Sequence, residues 1–160
     1  MRDGWSVSEF AMRSLSRRSL LRWFFLLAAG STFATASRST AAEDVPLAIK
    51  GYDPVAYFTI ASPARGLPEI SYDWDERRYL FLSAEHRELF KADPVRYAPQ
   101  FADFCAMALT RGEVHEADPE NWLISEGKLY IFAMPYGPGL FQQDLSANIV
   151  KANQNRSLIP

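Results

Sequence analysis

Two stretches of the chain alternate apolar with polar positions, and each predicts a β-hairpin. The first covers residues 70–82 and turns at Asp75-Glu76-Arg77. The second covers Trp122–Phe132 and turns around Glu126-Gly127. Asp118-Pro119-Glu120 combines an acidic residue with proline and predicts a separate turn ahead of the second hairpin.

Helical signals surround these hairpins. Ser83 suits the N-cap of a short helix that ends near Ala92, and Asp93-Pro94 then starts one further turn, with Asp as the cap and Pro at the first helical position. Tyr97 is expected to pack inward. Near the C-terminus, apolar residues recur at close to helical spacing and predict an amphipathic helix: Phe141, Leu145, Ile149 and Ala152.

The remaining apolar segments are shorter. Val55–Phe58 follows the Asp53-Pro54 turn and predicts a short buried strand, whereas Phe101–Leu109 fits either a buried strand or a helix. No internal repeat is evident in the sequence. Hairpins that alternate with short helices predict an α+β fold: a small compact domain of β-hairpins with short helices and a C-terminal helix.

The N-terminal segment resembles a twin-arginine export signal. Arg17 and Arg18 follow a serine and precede a basic residue and a short apolar run, Trp23–Gly30. That run is shorter than the roughly 20 residues of a membrane-spanning helix. Small residues then offer cleavage sites after Ala36 or after Ala42.

This resemblance divides the chain into a signal peptide, residues 1–42, and a domain, residues 43–160. It implies a periplasmic or otherwise exported protein whose partners include the twin-arginine translocation (Tat) machinery and signal peptidase, with no stable membrane span after cleavage. An uncleaved amphipathic anchor or a disordered tail is the alternative interpretation of residues 1–42.

Charge argues against polyanionic partners. Residues 1–42 carry six of the 17 basic and two of the 19 acidic side chains, so residues 43–160 have a formal net charge of −6. A domain this acidic, without a basic cluster, is repelled by phosphate backbones, which excludes nucleic acid as an expected partner. The single cysteine, Cys105, rules out an intrachain disulfide.

Several segments resemble the YHS-domain family. They are GYDPVAYF at 51–58, YLFLSAEHRELFKADPVRYAPQF at 79–101, FCAMAL at 104–109 and GKLYIF at 127–132. The most specific part is a Phe-x-x-Asp-Pro-x-x-Tyr arrangement, here Phe90, Asp93, Pro94 and Tyr97. The resemblance covers nearly all of residues 43–160.

The resemblance implies a metal site in some members of the family, but most of its ligands are replaced in this sequence. Some YHS domains carry three cysteines suited to soft metals, and here Ala56, Leu82 and His86 stand at those positions, so only His86 retains a ligating group. The chain looks like the exported single-domain branch, whose members share a Cys-Ala segment, here Cys105-Ala106. Two glycines that many of them carry before it are replaced by Ala102 and Asp103.

Three residues are therefore candidate metal ligands: Cys105, His86 and His115, for a transition metal such as copper, zinc or nickel. His86, His115, Met107 or Asp103 are the donors expected near Cys105, and Met107 with Met134 offers thioether sulfur for copper. Each candidate has a structural alternative. Cys105 is then a buried hydrophobe, His86 a satisfied helix residue, His115 part of a solvated loop, and the methionines core filler.

Sequence motifs of common enzymes are absent, including G-x-S-x-G, H-E-x-x-H, C-x-x-C and a phosphate-binding glycine loop. The leading hypothesis is an exported binding protein for a transition metal or a metal-bearing ligand. A structural or partner-binding accessory domain without a metal is the second. A redox protein or enzyme that uses the Cys105 thiol is the third, and it requires an accessible thiol beside a basic residue.

Overall fold

A computed structural model describes residues 45–160, all of which lie within one compact unit. The proposed signal peptide, with Arg17, Arg18 and both cleavage sites, lies outside the described residues. Within residues 45–160, every helix is too short or too polar to cross a membrane.

Short helices and two hairpins follow one another along the chain. After a 3₁₀ turn at Ala48–Gly51, the first half consists of α1 (Ala56–Thr59), β1 (Leu67–Trp74), β2 (Arg77–Phe81), α2 (Ala84–Ala92) and α3 (Pro94–Tyr97). The second half consists of α4 (Ala106–Leu109), β3 (Asp118–Ser125), β4 (Lys128–Phe132), α5 (Gly137–Gln143) and α6 (Leu145–Gln154), followed by a 3₁₀ turn at Arg156–Leu158.

The strands form two separate antiparallel hairpins, β1–β2 and β3–β4. This confirms the α+β prediction of a small domain built from hairpins and short helices. The caps around α2 are also as predicted. The Ser83 side chain accepts a hydrogen bond from the His86 backbone N–H, and the Asp93 side chain accepts one from Arg96.

Two predictions about local structure were wrong. Val55–Phe58 is not a strand: the Asp53 carboxylate accepts the Val55 N–H at 2.8 Å, and this local turn leads directly into helix α1. Asp118-Pro119-Glu120 begins β3 instead of forming a separate turn, and the register shift between Asp118 and Trp122 accommodates the proline. The predicted C-terminal helix is present as α6, and Phe141 lies in the preceding helix, α5, because the two are separated at Asp144.

The two halves repeat one unit, which corrects the expectation of no internal repeat. Adding 51 to the bounds of β1 and β2 gives the bounds of β3 and β4, and the register shift recurs at the matching place. The helices that follow end 51 residues apart, at Ala92 and Gln143. Each is followed by an aspartate with similar backbone angles, φ −150° and ψ 75° at Asp93 and φ −143° and ψ 63° at Asp144.

Aromatic packing repeats as well. Phe90 of α2 packs on Phe81 with ring centroids 5.3 Å apart, and Phe141 of α5 packs on Phe132 at 5.4 Å. Each pair is fully buried and belongs to a different hydrophobic cluster. At the same offset, seven of the 27 residues from 67 to 93 are identical to their counterparts from 118 to 144, and these include both packed Phe pairs.

Candidate functional site

Cys105 is buried at the start of α4, where it is 5% exposed within the second hydrophobic cluster. The chain just before α4 is extended and pairs antiparallel with the chain just before β3, through a bridge between Phe104 and Glu116. The Cys105 N–H donates to the His115 carbonyl at 2.8 Å. Phe101–Leu109, whose sequence fitted either a strand or a helix, is therefore extended at Cys105 and helical immediately after it.

This pairing brings two of the candidate ligands together. Cys105 and His115 adjoin the isolated bridge between Phe104 and Glu116, and the alternation of an extended chain places their side chains on the face away from Phe104.

A cavity of about 270 Å³ lies on this face, and both side chains line it. Met107 of α4 and Met134, which follows β4, line the same cavity. One thiol, two thioethers and one imidazole therefore share a single space. The rest of the lining is Ala108, Arg111, Ala133, Tyr136, Gly137 and Leu140.

The floor and the rim of this cavity differ in exposure. Cys105 is buried, whereas Met134 is 48% exposed and Tyr136 is 61% exposed. The His115 side chain is also exposed, and its Nε2 lies 3.4 Å from the Glu113 carboxylate. A hydrogen bond from Arg111, whose guanidinium lies 3.0 Å from the same oxygen, lowers the pKa of Glu113 below its usual value.

His86 lies in a different place. Its Nδ1 is 2.6 Å from Oδ2 of Asp53, which is fully buried, and its Nε2 is 3.2 Å from the Thr59 hydroxyl. Both ring nitrogens therefore contact groups of the protein itself. His86 does not line the cavity around Cys105.

Asp103, the other donor expected near Cys105, is also engaged elsewhere. One carboxylate oxygen accepts the Ile49 N–H, and the other lies 2.6 Å from the Arg77 guanidinium. Its side chain lines a separate, smaller cavity of about 100 Å³, together with Lys50 and Glu116. Of the donors expected beside Cys105, the structure thus brings in His115 and Met107, and adds Met134.

No group of three or more His, Cys, Asp or Glu side chains is placed to hold a metal ion among residues 45–160. Cys105 and His115 supply two such donors, and the lining adds the thioethers of Met107 and Met134 and the Tyr136 phenol. The arrangement therefore differs from common zinc sites, which use thiolate, imidazole and carboxylate ligands.

The internal repeat relates the Cys105 cavity to the Asp53–His86 pair. In the first half the Asp53 N–H donates to the Ala64 carbonyl at 2.8 Å, as the Cys105 N–H donates to the His115 carbonyl in the second. By this hydrogen bond Cys105 corresponds to Asp53, whereas the helices that follow, α1 and α4, start 50 residues apart and align Cys105 with Val55. With the helices aligned by their 51-residue offset, Gly137 takes the place of His86. The second half therefore has no side chain at the position of His86, and Gly137 lines the cavity there.

Sequence reasoning missed the role of Asp53, which was assigned only to a turn. The carboxylate accepts backbone N–H groups from Val55 and Leu82, both at 2.8 Å, besides its contact with His86. An aspartate flanked by apolar residues on both sides, as in GYDPVAYF, was the available sign that it is buried.

Comparisons with known proteins add no relative: the sequence matches no family model and no curated protein, and the structure matches no solved structure.

Proposed function

We propose that this chain is a small exported binding protein, similar to YHS domains, which holds a transition metal in the cavity between α4, the segment before β3 and α5. Export rests on the likeness of residues 1–42 to a twin-arginine signal. The acidic charge of residues 43–160 fits a partner other than nucleic acid.

One observation carries the metal proposal: four side chains with metal-binding atoms line a single cavity. Cys105 and His115 lie on paired backbone segments, and Met107 and Met134 reach the same space from two other elements. Thiolate, thioether and imidazole are ligands typical of soft and borderline metals. Isolated core methionines and a solvated histidine would not be expected to converge on the one cysteine.

The internal repeat supports a ligand in this cavity. In the first half, Asp53 is saturated by two backbone N–H groups and the His86 ring, so that site is filled by the protein itself. In the second half, Cys105 follows the bridge that corresponds to Tyr52–Arg65, and Gly137 stands where His86 stands in the first half. That substitution leaves room beside the thiol for a ligand from solution.

The family resemblance gains support from the same region. Ala56, Leu82 and His86, which stand at the cysteine positions of metal-binding YHS domains, all hydrogen-bond to Asp53. The Ala56 N–H donates to its carbonyl at 3.3 Å, and Leu82 and His86 contact its carboxylate. Three positions that would form one thiolate site thus adjoin one buried residue.

A partner-binding role without a metal is the second candidate. It is favoured by the apolar rim, because Met134, Tyr136 and Leu140 expose 48%, 61% and 38% of their surface around the opening. Exposed apolar residues that cluster around a cavity often mark an interaction site.

Elemental analysis of the protein produced from the full-length gene tests the proposal. After incubation with copper, zinc or nickel and removal of excess metal, we expect the wild type to retain metal stoichiometrically. Cys105→Ala should lose the metal, because Cys105 supplies the one thiolate among the described residues that line the cavity. His115→Gln should retain less metal than the wild type.

His86→Gln is the matched control, because this histidine lies outside the cavity, and it should retain metal as the wild type does. Thermal unfolding of each variant verifies that it is folded. A wild type that holds none of the three metals, or a Cys105→Ala variant that holds as much as the wild type, would contradict the proposal.

A further inference from the structure

The four donors around the cavity are unusually rich in sulfur. Three of them, in Cys105, Met107 and Met134, are sulfur atoms, and the fourth is the His115 imidazole. None of the described residues that line the cavity carries a carboxylate. Hard cations such as magnesium and calcium prefer oxygen ligands, so this lining disfavours them.

We infer that the metal bound in this cavity is copper in the Cu(I) state, held by the Cys105 thiolate and selected by the thioethers of Met107 and Met134. This inference rests on the proposed function. Thioether is a soft ligand that favours Cu(I), whereas zinc is held in proteins by thiolate, imidazole and carboxylate. Among the described residues that line the cavity, only Cys105 and His115 are ligands of the kind that zinc prefers, so zinc lacks a complete set of protein ligands there.

Charge balance favours a monovalent ion as well. Binding releases the thiol proton of Cys105, and one thiolate neutralises one Cu(I) ion. A divalent ion would keep a net positive charge next to the buried thiolate. An uncompensated charge above a buried floor is costly, since the interior solvates charge poorly.

The exposure of the four donors suggests how the ion enters. Met134 and His115 lie at the exposed rim, and Cys105 lies at the buried floor. An incoming Cu(I) ion therefore meets a thioether and an imidazole first and the thiolate last. Once bound at the floor, it is shielded from water and oxygen by the methionine side chains.

An anaerobic competition titration tests the inference. The full-length protein competes for Cu(I) with bathocuproine disulfonate and, separately, for Zn(II) with a chromophoric zinc chelator. We expect Cu(I) to bind far more tightly than Zn(II). Met107→Leu and Met134→Leu should each lower the affinity for Cu(I) by about tenfold or more. That is at least the loss of metal affinity seen when a supporting residue of a metal site is removed.

The same methionine variants should leave the Zn(II) affinity unchanged, and His86→Gln should leave both affinities unchanged. Leucine matches methionine closely in volume, so the variants should fold, which their thermal unfolding verifies. Zn(II) bound as tightly as Cu(I), or Cu(I) bound equally well without the thioethers, would overturn the inference while leaving a metal-binding protein. Failure of the wild type to bind any metal would instead overturn the proposed function.

Discussion

At the residue scale, Asp53 and Cys105, each of which follows an isolated bridge residue in its half of the molecule, differ in chemistry. Asp53 is a buried carboxylate whose oxygens are occupied by Val55, Leu82 and His86. Cys105 is a buried thiol beside a cavity. We interpret the first as a structural site and the second as the binding site.

This interpretation predicts that Asp53 contributes strongly to stability. Asp53→Ala leaves two backbone N–H groups and the His86 ring without their acceptor, and should lower the free energy of unfolding by about 3 kcal/mol or more. Asp73→Ala is the control, because Asp73 forms an exposed ion pair with Arg78 and such pairs contribute little.

Urea denaturation of the two variants measures both changes. Equal losses for Asp53→Ala and Asp73→Ala would show that the Asp53 network does not stabilise the first half.

Sequence reasoning succeeded for residues with local partners. The caps at Ser83 and Asp93 bind N–H groups three residues ahead, so spacing alone predicts them. Of the three partners of the Asp53 carboxylate, Val55 is local, but Leu82 and His86 lie 29 and 33 residues away in the chain. No local pattern encodes that distance, and the role of this residue appears only once the hairpin brings α2 back to α1.

At the element scale, the two hairpins are equivalent in length and register but differ in their turns. Asp75 and Glu76 of the first turn both have positive φ, 51° and 59°. In the second turn, Glu126 and Gly127 have φ of 53° and 69°. Two-residue turns of this kind favour glycine in the second position, so only the second hairpin has the preferred residue.

Exchanging these turn residues should therefore change stability in opposite directions. Glu76→Gly should raise the free energy of unfolding by about 1 kcal/mol, because a residue with a Cβ is strained in this backbone region. Gly127→Glu should lower it by a similar amount. No atom lies within 4 Å of the Cβ that the second change adds, so backbone strain alone is measured.

Chemical denaturation of both variants beside the wild type measures the two changes in the free energy of unfolding. Destabilisation by Glu76→Gly would contradict the assigned turn conformation.

Element prediction was accurate for the hairpins because alternation over many residues specifies a half-buried strand. It was inaccurate for α1, which has only four residues and is started by the Asp53 side chain. It also missed the repeat. The two units share their register and their Phe–Phe packing, yet the residues at the site itself differ.

At the whole-molecule scale, we interpret the domain as two copies of one unit, of which one is structural and the other binds the ligand. The first copy is closed by its own aspartate and histidine, and the second is open and lined by sulfur. The sequence predicted His86, His115, Met107 or Asp103 near Cys105 and named Met134 separately. Which of these donors share the cavity could not be predicted, because it depends on the pairing of the segments before α4 and β3 and on the position of α5.

Locating the metal in the molecule tests this account most directly. Crystals of the full-length protein loaded with Cu(I) would be measured at the copper absorption edge, and an anomalous difference map would show each bound ion. The account predicts one strong peak in the cavity, bonded to Cys105 Sγ with Met107 and Met134 beside it. A strong peak at His86, or no peak in the cavity of a copper-loaded protein, would contradict it.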